Sequence, residues 1–295
     1  MDFSFSDEQV LLRDSIHKYL NAKYDASARM RIVTSAESYS RECWQEFAEL
    51  GLLAAPFPEE YGGVGGGGVE AMIIMEECGR RLVVEPFVET VVLAGGLLRD
   101  LGSEEQRRTF FSRIIDGSDV WALAWTEAQG RHDLHDIALR AERNGKGYRL
   151  NGRKEVVVGA PWANRLIVSA RTSCGRRDRR GISLFIVDKS QSGIDCRDYA
   201  TVDGRRAGDI VFDDVAVGSE MRVGPEGDGL AGLERAVDHA IAALCAEAVG
   251  AMDEPIAQRA TMPACASSSG CRSPNSRCSS TGWSTCSLLT SRHCR

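Results

Sequence analysis

The spacing of apolar residues changes twice along this 295-residue chain, and that change limits its fold more than any other feature. Up to Gly117 apolar residues recur three or four apart, which is typical of helices that bury one face. From Val120 short β-rich runs alternate apolar and polar residues, and from Leu230 the helical spacing returns. The chain is therefore predicted to be multidomain α+β: an N-terminal all-α bundle, a middle antiparallel β-barrel or sandwich, and the start of a C-terminal helical bundle.

The same pattern predicts the limits of the domains. Residues 1–117 should form the helical domain and residues 118–224 the middle β domain, while residues 225–258 should be the first helix of a truncated C-terminal helical domain. Residues 259–295 are rich in Ser, Cys, Thr and Arg, contain no Asp, Glu or Lys, and have no apolar period. We therefore expect this last stretch to be a disordered tail.

Helix ends can be predicted from local chemistry. Ser6 and Gln9 have the spacing of a capping box, which predicts a helix that starts at Asp7. The glycine-rich segment 56–68 favours an interhelical loop over a phosphate-binding loop, because no apolar strand precedes it and no G-x-x-x-x-G-K-[ST] pattern follows. Further helices are predicted at Val69–Arg80, Val91–Leu101, Glu104–Ile115 and Leu230–Ala257, the last disturbed by Pro255.

Short β-rich runs separated by turn signals such as Asn151-Gly152 predict the strands of the middle domain. These runs are Val120–Trp125, Ile137–Ala141, Tyr148–Leu150, Glu155–Val158, Leu166–Ala170, Ile182–Val187 and Asp209–Phe212.

Charge and composition exclude several classes of protein. Residues 1–258 hold 31 basic and 42 acidic groups, a formal charge of −11, which argues against a nucleic-acid partner. No signal peptide and no apolar run of about 20 residues is present, so we expect no membrane span and a cytoplasmic location. Five of the ten cysteines lie in the tail without a C-x-x-C pair, which disfavours a zinc site or a disulfide framework.

Three segments carry a resemblance to a known family. They are LGLLAAPFPEEYGGVGGG at 50–67, AWTEAQGRHD at 124–133 and LNGRKEVVVGAPWANRLIVSAR at 150–171. In order and spacing they resemble acyl-CoA dehydrogenases over most of residues 1–258. The first of them, together with Met75–Leu98, is most similar to the small subunit of pimeloyl-CoA dehydrogenase and its relatives.

The resemblance implies an activity and a cofactor. Acyl-CoA dehydrogenases use a glutamate to remove the α-proton of an acyl-CoA thioester, while the β-hydrogen leaves as hydride to the N5 atom of FAD. This chemistry needs a flavin shielded from water, donors that polarise the thioester oxygen, and a carboxylate within reach of the α-proton. Implied partners are an acyl-CoA, an electron-transfer partner, and further subunits in a homo-oligomer or a hetero-oligomer with a large subunit.

Two motifs carry the implied flavin contacts. The family's T-E-P-x-x-G-S-D loop matches here at Thr126, Glu127 and Asp133, so Trp125 and Thr126 are candidate FAD contacts. Ala128 replaces the proline, and His132 stands at the serine as the candidate substrate contact. For Thr126 the competing interpretation is an ordinary hydroxyl at a strand end.

The second motif is the family's K-x-W-I-[ST]-N strand, which Lys154-Glu155-Val156-Val157-Val158-Gly159 replaces here. Val156, Val157 and Val158 are thus candidate FAD contacts, although a valine triplet also suits any buried strand. Valine 158 cannot donate a hydrogen bond to flavin N5. His132 and His135 lie three apart, and without a further ligand nearby we interpret them as loop histidines and not as a metal site.

The helix that starts at Leu230 resembles the first helix of the family's C-terminal domain. Many members place a substrate-binding arginine there, at the position of Ile241 in this chain. Some members carry their catalytic base on this helix, and Glu234 and Asp238 are the nearest acids, with Glu234 a weak candidate for the base. A solvated surface acid is the competing interpretation for both.

The tail resembles a frameshifted remnant of the same gene. Family members continue this helix with an R-K-x-F-G motif that helps to hold the flavin from a neighbouring subunit. When the codons behind Ala260–Cys286 are regrouped one base earlier, they permit a family-like reading that contains the motif, at the family's distance from Gly250. The usual catalytic-glutamate loop would then be missing. A native low-complexity tail, a non-catalytic structural subunit and an inactive pseudogene product stay open as alternatives.

Overall fold

The computed structural model describes residues 4–261, with side chains through Asp253. Its N-terminal part is all-helical, as predicted. The α-helices there are α1 (Asp7–Lys23), α2 (Ala26–Thr34), α3 (Arg41–Glu49), α4 (Gly68–Arg81), α5 (Gly96–Leu101) and α6 (Glu104–Ile115), with a 3-10 turn at Glu59–Tyr61 and a π-helix at Val88–Gly95.

The predicted capping box of α1 is confirmed. The backbone N–H of Gln9 donates to the Ser6 hydroxyl (3.2 Å), and the backbone N–H of Ser6 donates to Gln9 Oε1 (3.0 Å). Ser103 and Gln106 repeat this arrangement at α6. The helix α2 was not predicted from the sequence, because it buries only Ala28 and so has little apolar pattern.

The helix predicted at Val91–Leu101 is in fact a π-helix followed by α5. The hydroxyl of Thr90 donates to the carbonyl of Trp121 (3.1 Å) and accepts from its N–H (3.0 Å), so the π-helix is attached to the first strand. A Cβ atom on Gly95 would lie 2.5 Å from the Phe57 ring. These two contacts are long-range, and the apolar spacing carries no sign of them.

The middle part is an eight-stranded sheet with the order β6-β7-β3-β2-β4-β5-β8, in which β1 pairs with β4. The pairs are antiparallel except that β1 and β4 run parallel, with a single parallel bridge between β2 and β4. The strands are β1 (Trp121–Ala124), β2 (Arg140–Asn144), β3 (Gly147–Val158), β4 (Arg165–Arg171), β5 (Ile182–Asp188), β6 (Ile194–Ala200), β7 (Arg206–Gly218) and β8 (Arg222–Val223).

Two strand predictions were wrong in detail. The predicted turn at Asn151-Gly152 lies inside β3, where a register shift occurs between Leu150 and Gly152. Gly152 has φ +144°, and a Cβ there would lie 2.8 Å from the Cα of Leu139, so glycine serves a bulge at this position. The strand β6 was missed because it contains three charged residues and buries none of its side chains fully.

The C-terminal helix α7 (Leu230–Thr261) packs along α4. It continues through Pro255, which does not end it, and beyond the predicted boundary at residue 259. The predictions for the rest of the tail lie outside the described residues. None of the helices within residues 4–261 is long and apolar enough to cross a membrane.

Candidate functional site

The structure brings together the two segments that the sequence singled out. The chain leaves the sheet after β1 at Trp125 and Thr126, and there it runs beside β3. The backbone N–H of Glu155 donates to the carbonyl oxygen of Thr126 at 2.9 Å. Residues 125–126 and 155–158 therefore form one surface, which we name the β1–β3 face.

The side chains of the β1–β3 face differ in exposure. Trp125, Thr126 and Val158 are half-buried, and Val157 is buried. Val156 is 52% exposed, which is high for a β-branched residue in a strand. The hydroxyl of Thr126 makes no hydrogen bond to another described residue, so it is free to contact a ligand.

Backbone strain is concentrated at Val156. Its φ of +52° lies in the left-handed region, which β-branched residues seldom adopt. The cause is a register shift between Lys154 and Val157, which leaves Val156 of β3 without a partner residue on β7. Its N–H instead donates to Oδ1 of Asp209 (3.2 Å), which also accepts from the Tyr199 hydroxyl (3.0 Å). Strained residues of this kind often mark functional surfaces.

A buried ion pair lies beneath the β1–β3 face. Nζ of Lys154 donates to Oε1 of Glu127 at 2.7 Å, and both side chains are almost fully enclosed. Burial lowers the pKa of Lys154 to about 8. Burial alone would raise the pKa of Glu127, but the charge and hydrogen bond of Lys154 hold that pKa below its ordinary value.

Glu127 also organises the loop that follows it. Its carboxylate accepts from the backbone N–H groups of Ala138 (2.8 Å) and Leu139 (3.2 Å) and from the side chain of Gln129 (2.6 Å). Lys154 was not among the residues predicted from the sequence to have a role in the site. Alternation along β3 could have shown its orientation, because Lys154 shares the face of the buried residues Tyr148 and Leu150, and the bulge at Val156 begins only after it.

The histidines of the same loop lie near the surface. His132, the candidate substrate contact, is exposed, and His135 lies 2.5 Å from the Asp133 carboxylate. Within the residues that the structure describes, no group of three His, Cys, Asp or Glu side chains could hold a metal ion. The part that His132 plays toward a substrate stays a prediction.

The candidate residues on α7 have different surroundings. Glu234 accepts from Arg179 at 2.6 Å, in an ion pair that is partly open to solvent. Asp238 is exposed, and Ile241 is 53% exposed. The carboxylate of Glu234 is therefore held by an arginine of the β4–β5 loop, which weakens its candidacy as a catalytic base.

Helical layer, β-sheet and C-terminal helix together define an acyl-CoA dehydrogenase fold. Two family models match the chain: "Acyl-CoA dehydrogenase, N-terminal domain" over residues 6–118 and "Acyl-CoA dehydrogenase, middle domain" over residues 122–215. The chain belongs to the acyl-CoA dehydrogenase family, whose members are FAD-containing oxidoreductases.

Individual relatives agree with this assignment. Over 240 residues the chain is 30% identical to the mitochondrial isovaleryl-CoA dehydrogenase of Pongo abelii, covering 79% of this chain and 56% of that protein. The structure of a glutaryl-coenzyme A dehydrogenase in complex with glutaryl-CoA matches with a TM-score of 0.81 at 26% identity, over 86% of this chain and 66% of that one. A structure named Tcur3481-Tcur3483 steroid ACAD matches with a TM-score of 0.78 at 27% identity, over 88% of this chain and 67% of that one. The chain thus spans between about half and two thirds of the length of these relatives.

Proposed function

We propose that this chain supplies the N-terminal and middle parts of an FAD-dependent acyl-CoA dehydrogenase that desaturates an acyl-CoA between its α and β carbons. One observation carries the proposal: Trp125 and Thr126 lie against β3 through the hydrogen bond from Glu155 to Thr126. Both segments are those that the family resemblance marks as facing the flavin. They are distant in sequence and form one surface in the fold.

The β1–β3 face has properties that fit a flavin. The Thr126 hydroxyl has no described protein partner, and the indole of Trp125 and the exposed side chain of Val156 offer apolar contact. Thr126, Trp125 and the Val156–Val158 segment would hold the ring. When bound, FAD would accept the β-hydrogen of the substrate as hydride.

The residues of the chain would mainly bind and orient the flavin and the substrate. The apolar side chains of the face would exclude water. The Thr126 hydroxyl would donate a hydrogen bond to the flavin ring or accept one from it. His132 stands where the resemblance implies a substrate contact. Glu234 is engaged by Arg179, so it would have to leave that ion pair before it could remove a proton.

We further propose that the protein works with other subunits, as the resemblance to the pimeloyl-CoA dehydrogenase small subunit implies. The apolar residues Ile241 and Leu244 of α7 are 53% and 42% exposed, which suits a helix that packs against further helices. The steroid ACAD structure carries two protein names, Tcur3481 and Tcur3483, which fits an assembly of two proteins. An acyl-CoA, an electron-transfer partner and a large subunit are the proposed partners.

The tail is proposed to come from a frameshift. Its support is the family-like reading of the regrouped codons behind Ala260–Cys286. Resequencing the gene around codon 259 tests this directly. A restored frame would supply the R-K-x-F-G motif, and the purified protein should then carry more flavin, measured by visible absorbance, than the chain as printed. Resequencing that returns the printed tail would favour the native low-complexity alternative.

A non-catalytic structural subunit is the second candidate. Val158 cannot donate a hydrogen bond, and the arginine position of the family holds Ile241, whose side chain is exposed. Such a subunit would provide the fold and an interface without binding FAD.

Replacing Thr126 with Val tests the flavin contact in the frame-restored protein. The change removes one hydroxyl and keeps the shape, so FAD affinity should fall about fivefold, which corresponds to the ~1 kcal/mol of one net hydrogen bond. Flavin fluorescence titration measures the dissociation constant. Thr109→Val, at an exposed position on α6, is the matched control and should bind FAD like the parent. A flavin-free parent would leave the structural-subunit candidate in place.

A further inference from the structure

One buried lysine holds the two segments of the β1–β3 face together. The ammonium group of Lys154 donates to Glu127 Oε1 (2.7 Å), Ser169 Oγ (3.0 Å) and the carbonyl oxygen of Trp125 (3.3 Å). An ammonium group has three N–H bonds, so each one has a partner. Only the protonated side chain can donate to all three acceptors at once.

The three acceptors belong to different parts of the chain. Trp125 and Glu127 lie in the segment after β1, Ser169 lies on β4, and Lys154 itself lies on β3. The strand β1 ends at Ala124 and pairs with β4. Among the described residues, a single backbone hydrogen bond, from Glu155 to Thr126, joins residues 125–127 to β3. The side chain of Lys154 supplies the remaining attachment.

The surroundings make this attachment strong. Lys154 is fully buried and Glu127 is 4% exposed, so water competes little for their hydrogen bonds. Removing the lysine alone would leave the carboxylate buried without its counter-charge. Arg171 is the other charged group that acts on Lys154, and its own guanidinium donates to four backbone carbonyls.

We propose that Lys154 is a positioning residue, which fixes Trp125 and Thr126 at the distance from the β3 bulge that the flavin requires. The identity of the ligand rests on the proposed function. The placement of the segment by Lys154 is a property of the chain that can be measured without a ligand.

The amide of Glu155 is a local reporter of this placement, because it donates to Thr126. Hydrogen exchange of this amide is compared in the full-length parent and in the double variant Lys154→Met with Glu127→Gln. The double variant removes both buried charges, so no unpaired carboxylate is left to destabilise the fold. We expect protection of the Glu155 amide to fall about tenfold, the effect of losing hydrogen bonds from a charged group, while the melting temperature stays close to that of the parent.

Lys189→Met is the matched control. Lys189 is a half-buried lysine directly after β5, and it donates to the carbonyls of Ala160 and Pro161 and not to residues 125–127. This variant should leave the Glu155 amide unchanged. Should the double variant not fold, Lys154→Gln with Glu127→Gln takes its place, since it keeps polar groups at both positions and leaves no unpaired buried charge.

A pH profile separates positioning from a purely structural effect. The charged groups that face Lys154 are Glu127 and Arg171, and burial lowers the lysine pKa to about 8. In the parent, protection of the Glu155 amide, corrected for the intrinsic rate of exchange, should decline as the pH rises through about 8. In the double variant, which lacks both buried charges, the profile should be flat. A folded Lys154 variant with parent-like protection and profile overturns the proposal.

FAD titration extends the test to the ligand. A parent that binds FAD should lose about tenfold in affinity in the double variant, because the same charged hydrogen bonds are lost. Equal affinities of parent and double variant would contradict the role of Lys154 toward flavin. A parent that fails to bind FAD even with its frame restored contradicts the proposed function instead, and the amide exchange then decides the positioning role alone.

Discussion

Two charged residues, Lys154 and Glu127, are among the buried polar side chains of the interior. Each is tolerated because its polar atoms are satisfied: Glu127 accepts from the lysine, from two backbone N–H groups and from Gln129. The carboxylate thereby connects β3, the segment after β1 and the loop before β2. A single side chain at this point influences three stretches of backbone.

Glu127 should make the stability of the protein depend on pH in the acid range. Its pKa in the folded state lies below the ordinary value of 4.5, so its contribution is fully present above that value. The contribution is lost as the pH falls through the lowered folded pKa, because the unfolded chain takes up the proton more readily. Glu127→Gln should cost about 3 kcal/mol at neutral pH and should show a shallower loss of stability as the pH falls below 4.5.

Urea unfolding at several pH values measures this dependence. Glu142→Gln is the control, because Glu142 is exposed on β2 and makes no described ion pair. It should follow the parent at every pH. Parallel pH profiles for the parent and Glu127→Gln would show that the carboxylate of Glu127 does not carry the effect.

At the scale of elements, the contact between α4 and α7 joins the C-terminal helix to the N-terminal helices. Small residues allow the two backbones to approach closely. A Cβ atom on Gly79 would lie 2.0 Å from the carbonyl oxygen of Glu247, and one on Gly250 would lie 1.8 Å from that of Glu76. The alanines of α7 at positions 236, 240, 243 and 246 are also buried.

Gly250→Ala should therefore destabilise the protein. The added methyl group meets backbone, which cannot move without separating the helices, so we expect a loss of about 3 kcal/mol in the free energy of unfolding. Thermal or urea unfolding measures it. Gly96→Ala on α5 is the control, since a Cβ there would have no atom within 4 Å, and it should be neutral or stabilising by up to about 1 kcal/mol. Equal stabilities for the two variants would contradict the close helix contact.

At the scale of the whole molecule, α7 is covered on one side only. The sequence predicts an apolar stripe at Leu233, Val237, Ile241, Leu244 and Ala248. The structure divides this stripe: Leu233 and Val237 pack on the core, whereas Ile241, Leu244 and Ala248 are exposed. The exposed half is the surface to which further helices or subunits would bind.

The exposed half of this stripe should cause self-association of the chain as printed. Replacing Ile241 and Leu244 together with Lys adds charge to that surface, and the apparent mass in light scattering should fall toward the monomer. Val64→Lys is the control, because Val64 is a 63% exposed valine on the loop before α4 and does not belong to the stripe on α7, and it should leave the mass unchanged. A parent that is already monomeric at the same concentration would contradict the prediction.

Much of the fold follows from local sequence chemistry. The capping box at Ser6, the helix at Glu104–Ile115 and the change from helical to strand spacing after Gly117 depend on residues close together in the chain. The family motif likewise identified Thr126 and Glu127 from their neighbours. Such features are readable because their physical causes, capping and amphipathic burial, act over a few residues.

Tertiary contacts decided the remainder. The bulge at Val156, the glycine at 152 inside β3 and the π-helix at Val88–Gly95 each meet their partners across long stretches of sequence. Lys154 and Val156 illustrate the point most clearly: on an ordinary strand they would share a face, but the bulge between them leaves Lys154 buried against Glu127 and Val156 exposed. Because a bulge adds one residue on one strand only, the register that decides which side chain is buried exists only once the strands are paired.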